Sequence, residues 1–242
     1  MKKILAFTLA ETLVVIGIIG VVSALTLPNL NSSTANKENV AKVKKVYRDL
    51  DQAFGMAKVK YGPLHTWFNF PSSNYVPNRE IAGRRIAEFL KVTKDCGVTT
   101  NSGCFVNDNL LAYNGYKLNN YDSLPFYKII LSDGTAVAFI PSLSNSELLS
   151  FAIYIDIDGP KKGKHKIGHD IFNFEIENGQ LNPVRMSSFW GCVRTNAPSI
   201  QYYGNCTSGW VIDYDNMDYL LLNSSGYCPN GTAPSAQNPR CK

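Results

Sequence analysis

The 242-residue sequence contains no G-x-x-x-x-G-K-[ST] loop, no G-x-G-x-x-G, no G-x-S-x-G and no H-E-x-x-H. Phosphate cradles, dinucleotide sites, nucleophile elbows and zinc-peptidase helices of those kinds are excluded. Histidine is scarce, with three residues, and no C-x-x-C pair occurs among the six cysteines. Charged residues are only 18% of the chain. No internal repeat of roughly 20–50 residues is visible, which argues against a solenoid or propeller. With no nucleophile–base constellation, the chain reads as non-enzymatic, with no catalytic residues, cofactor or metal expected. What is plentiful is apolar: 45% of residues are hydrophobic, too many for a disordered chain and suited to one domain with an appendage.

The net charge of +5 is unevenly placed. Residues 31–60 carry seven basic and three acidic side chains, whereas residues 61–242 carry fifteen of each. The excess sits near the N-terminus, so no nucleic-acid partner is expected of the main body. Lys161, Lys162, Lys164 and Lys166 are the one local cluster that leaves a DNA contact open.

Residues 1–30 are the most informative. Lys2 and Lys3 precede a run of 21 residues, Phe7 to Leu27, that is mostly apolar and carries a single charge, Glu11. At about 1.5 Å rise per residue the run matches the roughly 30 Å hydrocarbon core of a bilayer. It exceeds the apolar region of a secretory signal peptide, about 7–15 residues. A carboxylate at membrane depth is costly unless it has a role.

The stretch Ala6-Phe7-Thr8-Leu9-Ala10-Glu11-Thr12-Leu13 resembles the N-terminal signal of type IV prepilins and type II secretion pseudopilins. In that family a membrane peptidase cuts after a short basic leader and N-methylates the new terminus, and an acidic residue stands fifth in the mature chain. The resemblance places cleavage between Ala6 and Phe7, methylation on Phe7, and assembly roles on Glu11 and Pro28. The residue before the cut is Ala6, where the family usually has Gly. It implies a bacterial inner-membrane precursor, single-pass, with leader cytoplasmic and head periplasmic or extracellular. Its partners are a prepilin peptidase and other pilin or pseudopilin subunits in a helical filament. Glu11 of one subunit is expected to meet the N-terminal amine of its neighbour. Pilus and secretion pseudopilus, major and minor subunit, remain alternatives, as does a minor pilin that binds DNA or a surface ligand. A membrane-anchored extracytoplasmic enzyme trails for want of catalytic residues.

Val40, Val43, Tyr47, Leu50, Phe54, Ala57 and Tyr61 recur at spacings of three and four, one apolar stripe on a helix. Lys42, Lys44, Lys45, Arg48, Asp49 and Asp51 fall off it. Asn29 to Asn36 is polar and weakly helix-forming, and Gly62-Pro63 ends the helix. The chain thus divides into leader 1–6, transmembrane or assembly helix 7–27, amphipathic continuation 28–61 and head 62–242. In the head, residues 79–91 place Ile81, Ile86, Phe89 and Leu90 on a helical face. Strands are predicted at 126–131, 135–140, 151–157 and 171–176, with turns at Asp133-Gly134 and Asn178-Gly179. The fold class is α+β, a spine helix on an antiparallel sheet, as the pilin resemblance also implies.

The basic residues after the apolar run, Lys37, Lys42, Lys44 and Lys45, outnumber the leader's two and favour a cytoplasmic head by the positive-inside count. The cysteines oppose this. Cys96, Cys104, Cys192, Cys206, Cys228 and Cys241 all lie in the head and lack metal spacing, which suits disulfides in an oxidising compartment. The sequence-local pairs 96–104, 192–206 and 228–241 are expected. Asp156, Asp158 and Asp170 offer oxygen ligands, and some pseudopilins bind calcium in a head loop. However, the twelfth position of an EF-hand reading is Ile167, and four lysines follow, so a turn between strands is the preferred reading. His165 and His169 lack a clear third ligand and read as a solvated loop. His65, beside Trp67 and Phe68, reads as packing.

Overall fold

The computed structural model describes residues 9–67, 75–107, 110–118, 120–143, 149–185, 204, 206–223, 227–234, 238 and 240–241. Of these, residues 23–33, 75–79, 141–143 and 149–151 are described in backbone only. The chain forms two compact units, residues 1–38 and 39–242. One helix, α1 (Leu9–Tyr61), runs through Pro28 and through the polar stretch whose helicity was open from composition. Then come α2 (Tyr75–Ala87), β1 (Val92–Gly97), β2 (Tyr127–Leu131), β3 (Ala136–Leu143), β4 (Leu149–Asp156), β5 (Ile171–Glu177), β6 (Gln180–Pro183) and α3 (Thr207–Tyr214). The strands make one antiparallel sheet in sequence order.

Local chemistry places the turns. Glu177 pairs Gln180 across Asn178-Gly179, and both turn residues have positive φ, the geometry that matches strand twist. The β2–β3 turn is closed by a bond from the Thr135 amide to Asp133 Oδ1 at 3.1 Å, with Gly134 at φ +90. Helix α1 stops where Gly62, at φ +81, donates its amide to the Lys58 carbonyl at 2.9 Å.

The predicted stripe is the core of the second unit. Val40, Val43, Leu50, Phe54 and Ala57 are buried, joined by Val46 and Ala53, while Tyr47 and Tyr61 pack at its margin. They meet alternate residues of the sheet, including Ile129 of β2, Phe139 of β3, Ile153 and Ile155 of β4, and Phe174 of β5. Tyr47 stacks on Phe174 at 5.3 Å and donates to the Leu181 carbonyl at 3.2 Å. Residues 39–61 therefore belong to the head itself. The lysines off the stripe are tied to head acids: Lys42 to Asp158 at 2.9 Å, Lys44 to Asp215 at 2.9 Å and Lys45 to Asp133 at 2.6 Å. The charge excess seen in sequence is thus offset where α1 meets the sheet, though exposed pairs contribute only about 0–1 kcal/mol each.

The four predicted strands are present, with ends differing by a few residues. The periodicity did not identify β1, β6 or α3. Strand β1 is polar and irregular, with register breaks against β2. Strand β6 has four residues, and its turn alone signals it. The opposite face of the sheet is also covered. Ala136, Ala138, Tyr154 and Ile171 pack with Phe105, Val106, Leu110 and Ile167 from loops. This second layer is organised by a disulfide, Cys96–Cys104, and by a fully buried ion pair, Lys128 with Asp122 at 3.3 Å.

Cys228–Cys241 is the second disulfide, and Cys206 is also disulfide-bonded; its expected partner Cys192 lies outside the described residues. Closing loops of this length contributes about 2–4 kcal/mol each.

Candidate functional site

Ala6 and Phe7, where cleavage and methylation are expected, lie outside the described residues. Glu11 occupies the first turn of α1 and is exposed. Pro28 lies inside α1. Around Glu11 the helix presents a continuous apolar surface. Leu9, Leu13, Val14, Val15, Ile16, Ile18, Ile19, Val21 and Val22 are each at least 49% exposed. Residues on all sides of the helix are included. Gly17 and Gly20 have nothing within 4 Å of a would-be Cβ, which leaves two smooth positions for a close neighbour. Among the described residues no helix is long and apolar enough to cross a membrane. Within the 7–27 stretch, side chains are described only for residues 9–22.

A second cluster lies in the head, in the connection between β4 and β5. Hydrophobic alternation carries β4 up to Asp156, which is the last residue of the strand and has no solvent exposure. Its Oδ1 accepts the Asp158 amide at 3.2 Å. Its Oδ2 has no hydrogen-bond partner and lies 3.4 Å from His165 Nδ1, which is also buried without one. Burial, with the Asp170 carboxylate next in weight, pushes the Asp156 pKa up to about 8.

Asp170 closes the loop from its far end. Its Oδ2 accepts the His165 amide and its Oδ1 the Lys166 amide, both at 2.7 Å. Its own carbonyl accepts the Ile157 amide at 2.9 Å. These bonds need His165 in a left-handed conformation, φ +50. They also need Gly163, at φ +91, because a Cβ there would collide with Asp170 Oδ2. Gly163→Ala is accordingly expected to destabilise the head by about 1–3 kcal/mol, from backbone strain and displacement of Asp170. Chemical denaturation of the purified protein measures it. An unchanged midpoint would show that the loop relaxes freely.

The three aspartates proposed from sequence thus separate. Asp156 and Asp170 come together, and Asp158 pairs through Oδ1 with Lys42 at 2.9 Å while its Oδ2 stays beside Gly163. His165 takes the third place, with one atom from each of Asp156, His165 and Asp170 lying within 4.8 Å of one another. Sequence reasoning missed this because the ligand-bearing atoms are aligned by a non-helical loop. The signal available was the positive-φ propensity of the two flanking glycines. The reading of His165 and His169 as a solvated loop is corrected. His169 stacks on Tyr113 at 6.1 Å, and burial, with Lys164 and Lys166 nearby, lowers its pKa to about 4. His65 is corrected the other way. The short 3-10 turn at Leu64–Trp67 points Leu64 and Trp67 inward, three residues apart, and leaves His65 exposed.

No protein-family model, curated protein or solved structure matches the chain.

Proposed function

We propose that this chain is a type IV pilin-like subunit of a pilus-like filament or a type II secretion pseudopilus. The observation that carries the reading is the contrast along one helix. Residues 40–57 of α1 bury an apolar stripe in the head, whereas residues 9–22 expose apolar side chains on every side. Such a surface needs a lipid phase before assembly and neighbouring helices after it. The chain is held in a bacterial inner membrane by its apolar run, processed between Ala6 and Phe7, and methylated on Phe7. Its subunits then associate through the exposed helix. The disulfides suit a head on the periplasmic or extracellular side. The role is structural, and the chemistry of processing belongs to the peptidase partner.

The decisive experiment is intact-mass and N-terminal analysis of protein extracted from membranes of a producing cell. The expected result is loss of residues 1–6 and one added methyl group on Phe7. A mature terminus near Ala24 or beyond would indicate ordinary signal-peptide removal and overturn the reading.

A further inference from the structure

We propose that Asp156, His165 and Asp170 bind a single first-row transition cation of the zinc type. The three residues come from the start, middle and end of the β4–β5 connection, and their ligand atoms lie within 4.8 Å of one another. In this cluster Asp156 Oδ2 and His165 Nδ1 are buried and without a hydrogen-bond partner. Asp156 has no solvent exposure, so bulk water does not reach it. A buried polar atom left this way is costly, and one cation between the two would satisfy both.

The spacing fits. Asp156 Oδ2 and His165 Nδ1 are 3.4 Å apart. With bond lengths of about 2.0–2.1 Å, two ligands of a tetrahedral zinc ion also stand roughly 3.4 Å apart. Asp170 is oriented in advance by the two amides at 2.7 Å, one on each oxygen, and each oxygen keeps a lone pair. That is the outer-shell support that fixes a ligating carboxylate.

The donor set chooses the ion. Calcium and magnesium take oxygen ligands, whereas an imidazole nitrogen with two carboxylates suits zinc and its neighbours. The two carboxylates offset the ion's charge. Asp158, the remaining acid of the loop, gives Oδ1 to Lys42 at 2.9 Å. Lys161, Lys162 and Lys164 are exposed, so solvent and salt screen their repulsion. The His165 side chain is 20% exposed and marks the approach from solvent.

The test uses the full-length chain, freed of metal and kept in solution by a mild detergent. Titration calorimetry with zinc chloride should show one ion per chain, and calcium chloride should bind far more weakly. Cobalt(II) should give the visible absorption of a low-coordinate nitrogen–oxygen site. Loss of an outer-shell partner typically weakens metal binding by roughly 10–100-fold, so His165→Gly, which removes a ligand, should weaken zinc by about 100-fold or more. Glycine accepts the left-handed backbone, so the fold should survive, and circular dichroism checks this. Asp156→Asn should weaken zinc similarly. Should either variant fail to fold, the His165 imidazole NMR signals in the unaltered chain decide, by moving on zinc addition or not. Absent stoichiometric zinc binding, equal affinity for calcium, or zinc binding indifferent to His165→Gly would each overturn the site. In those cases Asp156 and His165 form a metal-free pair.

Discussion

Lys128→Ala is expected to lower the stability of the head by about 3–5 kcal/mol, the largest effect of any single substitution considered, because it leaves Asp122 buried without its counter-charge. Both side chains have no solvent exposure and lie 3.3 Å apart. The Lys128 ammonium also donates to the carbonyls of Asp122 at 2.8 Å and Leu124 at 3.1 Å, which keep the Asn101 and Phe126 amides, each at 2.8 Å, so what the variant removes is chiefly the charge. Burial pulls the Lys128 pKa down and the Asp122 charge pulls it back up, the signature of an ion held in place by its partner. Asp122 keeps two donors in the variant, the Ser102 hydroxyl at 2.9 Å and the Gly103 amide at 2.8 Å, but no positive charge. Urea denaturation of the purified chain measures the loss. The double variant Asp122→Asn with Lys128→Met should lose less than the sum of the two single changes, since no lone charge stays buried. Strict additivity would show that the pair is not energetically coupled. The consequence is structural: this pair anchors the loop layer over the second face of the sheet, and its loss should expose Phe105 and Tyr154.

Glu11→Ala is expected to leave membrane insertion, cleavage and head folding intact while lowering incorporation into filaments by about tenfold or more, as loss of a charge pair in an apolar setting would require. The residue sits in the first turn of α1, surrounded by Leu9, Leu13, Val14 and Val15, all exposed. Insertion should become easier, because an ionised carboxylate is costly in hydrocarbon. What disappears is the group proposed to receive the methylated amine of a neighbouring subunit. The head should not respond, because its core begins at Val40. The measurement compares sheared filament material with the cell-associated pool in a strain carrying only the variant. Glu11→Gln separates charge from size and should behave like alanine. Wild-type filament yield from either variant would contradict the pairing role.

Much of the head was legible along the chain where one physical rule dominates locally. The stripe from Val40 to Ala57 could be placed because a helix repeats every 3.6 residues, and burial follows that repeat. Asp133-Gly134 and Asn178-Gly179 could be placed because few residues tolerate positive φ. Strand β1 was not legible: Val92 to Gly97 is mostly polar, with Lys94 and Asp95 at its centre, and it is held at the sheet edge by β2. Nor was α3, whose buried Thr207, Ser208 and Gly209 carry no amphipathic signature. Ser208 owes its burial to distant partners, donating to the Asn173 carbonyl at 2.5 Å and accepting the Val184 amide at 3.1 Å.

The same division separates the two candidate sites. By itself the amino-acid sequence determined the apolar run with its single carboxylate, the helical stripe, the turn chemistry and the even cysteine count. Each of these depends only on neighbours a few residues away or on composition. Tertiary structure alone decided that Asp158 would pair with Lys42, 116 positions away, and that His165 would stand against Asp156. It also decided that Lys128 and Asp122 would share a dry interior. Those outcomes hang on which side chains the sheet register and the loop closures bring within about 3–4 Å, and pairing at that range is a property of the packed chain that no local pattern encodes.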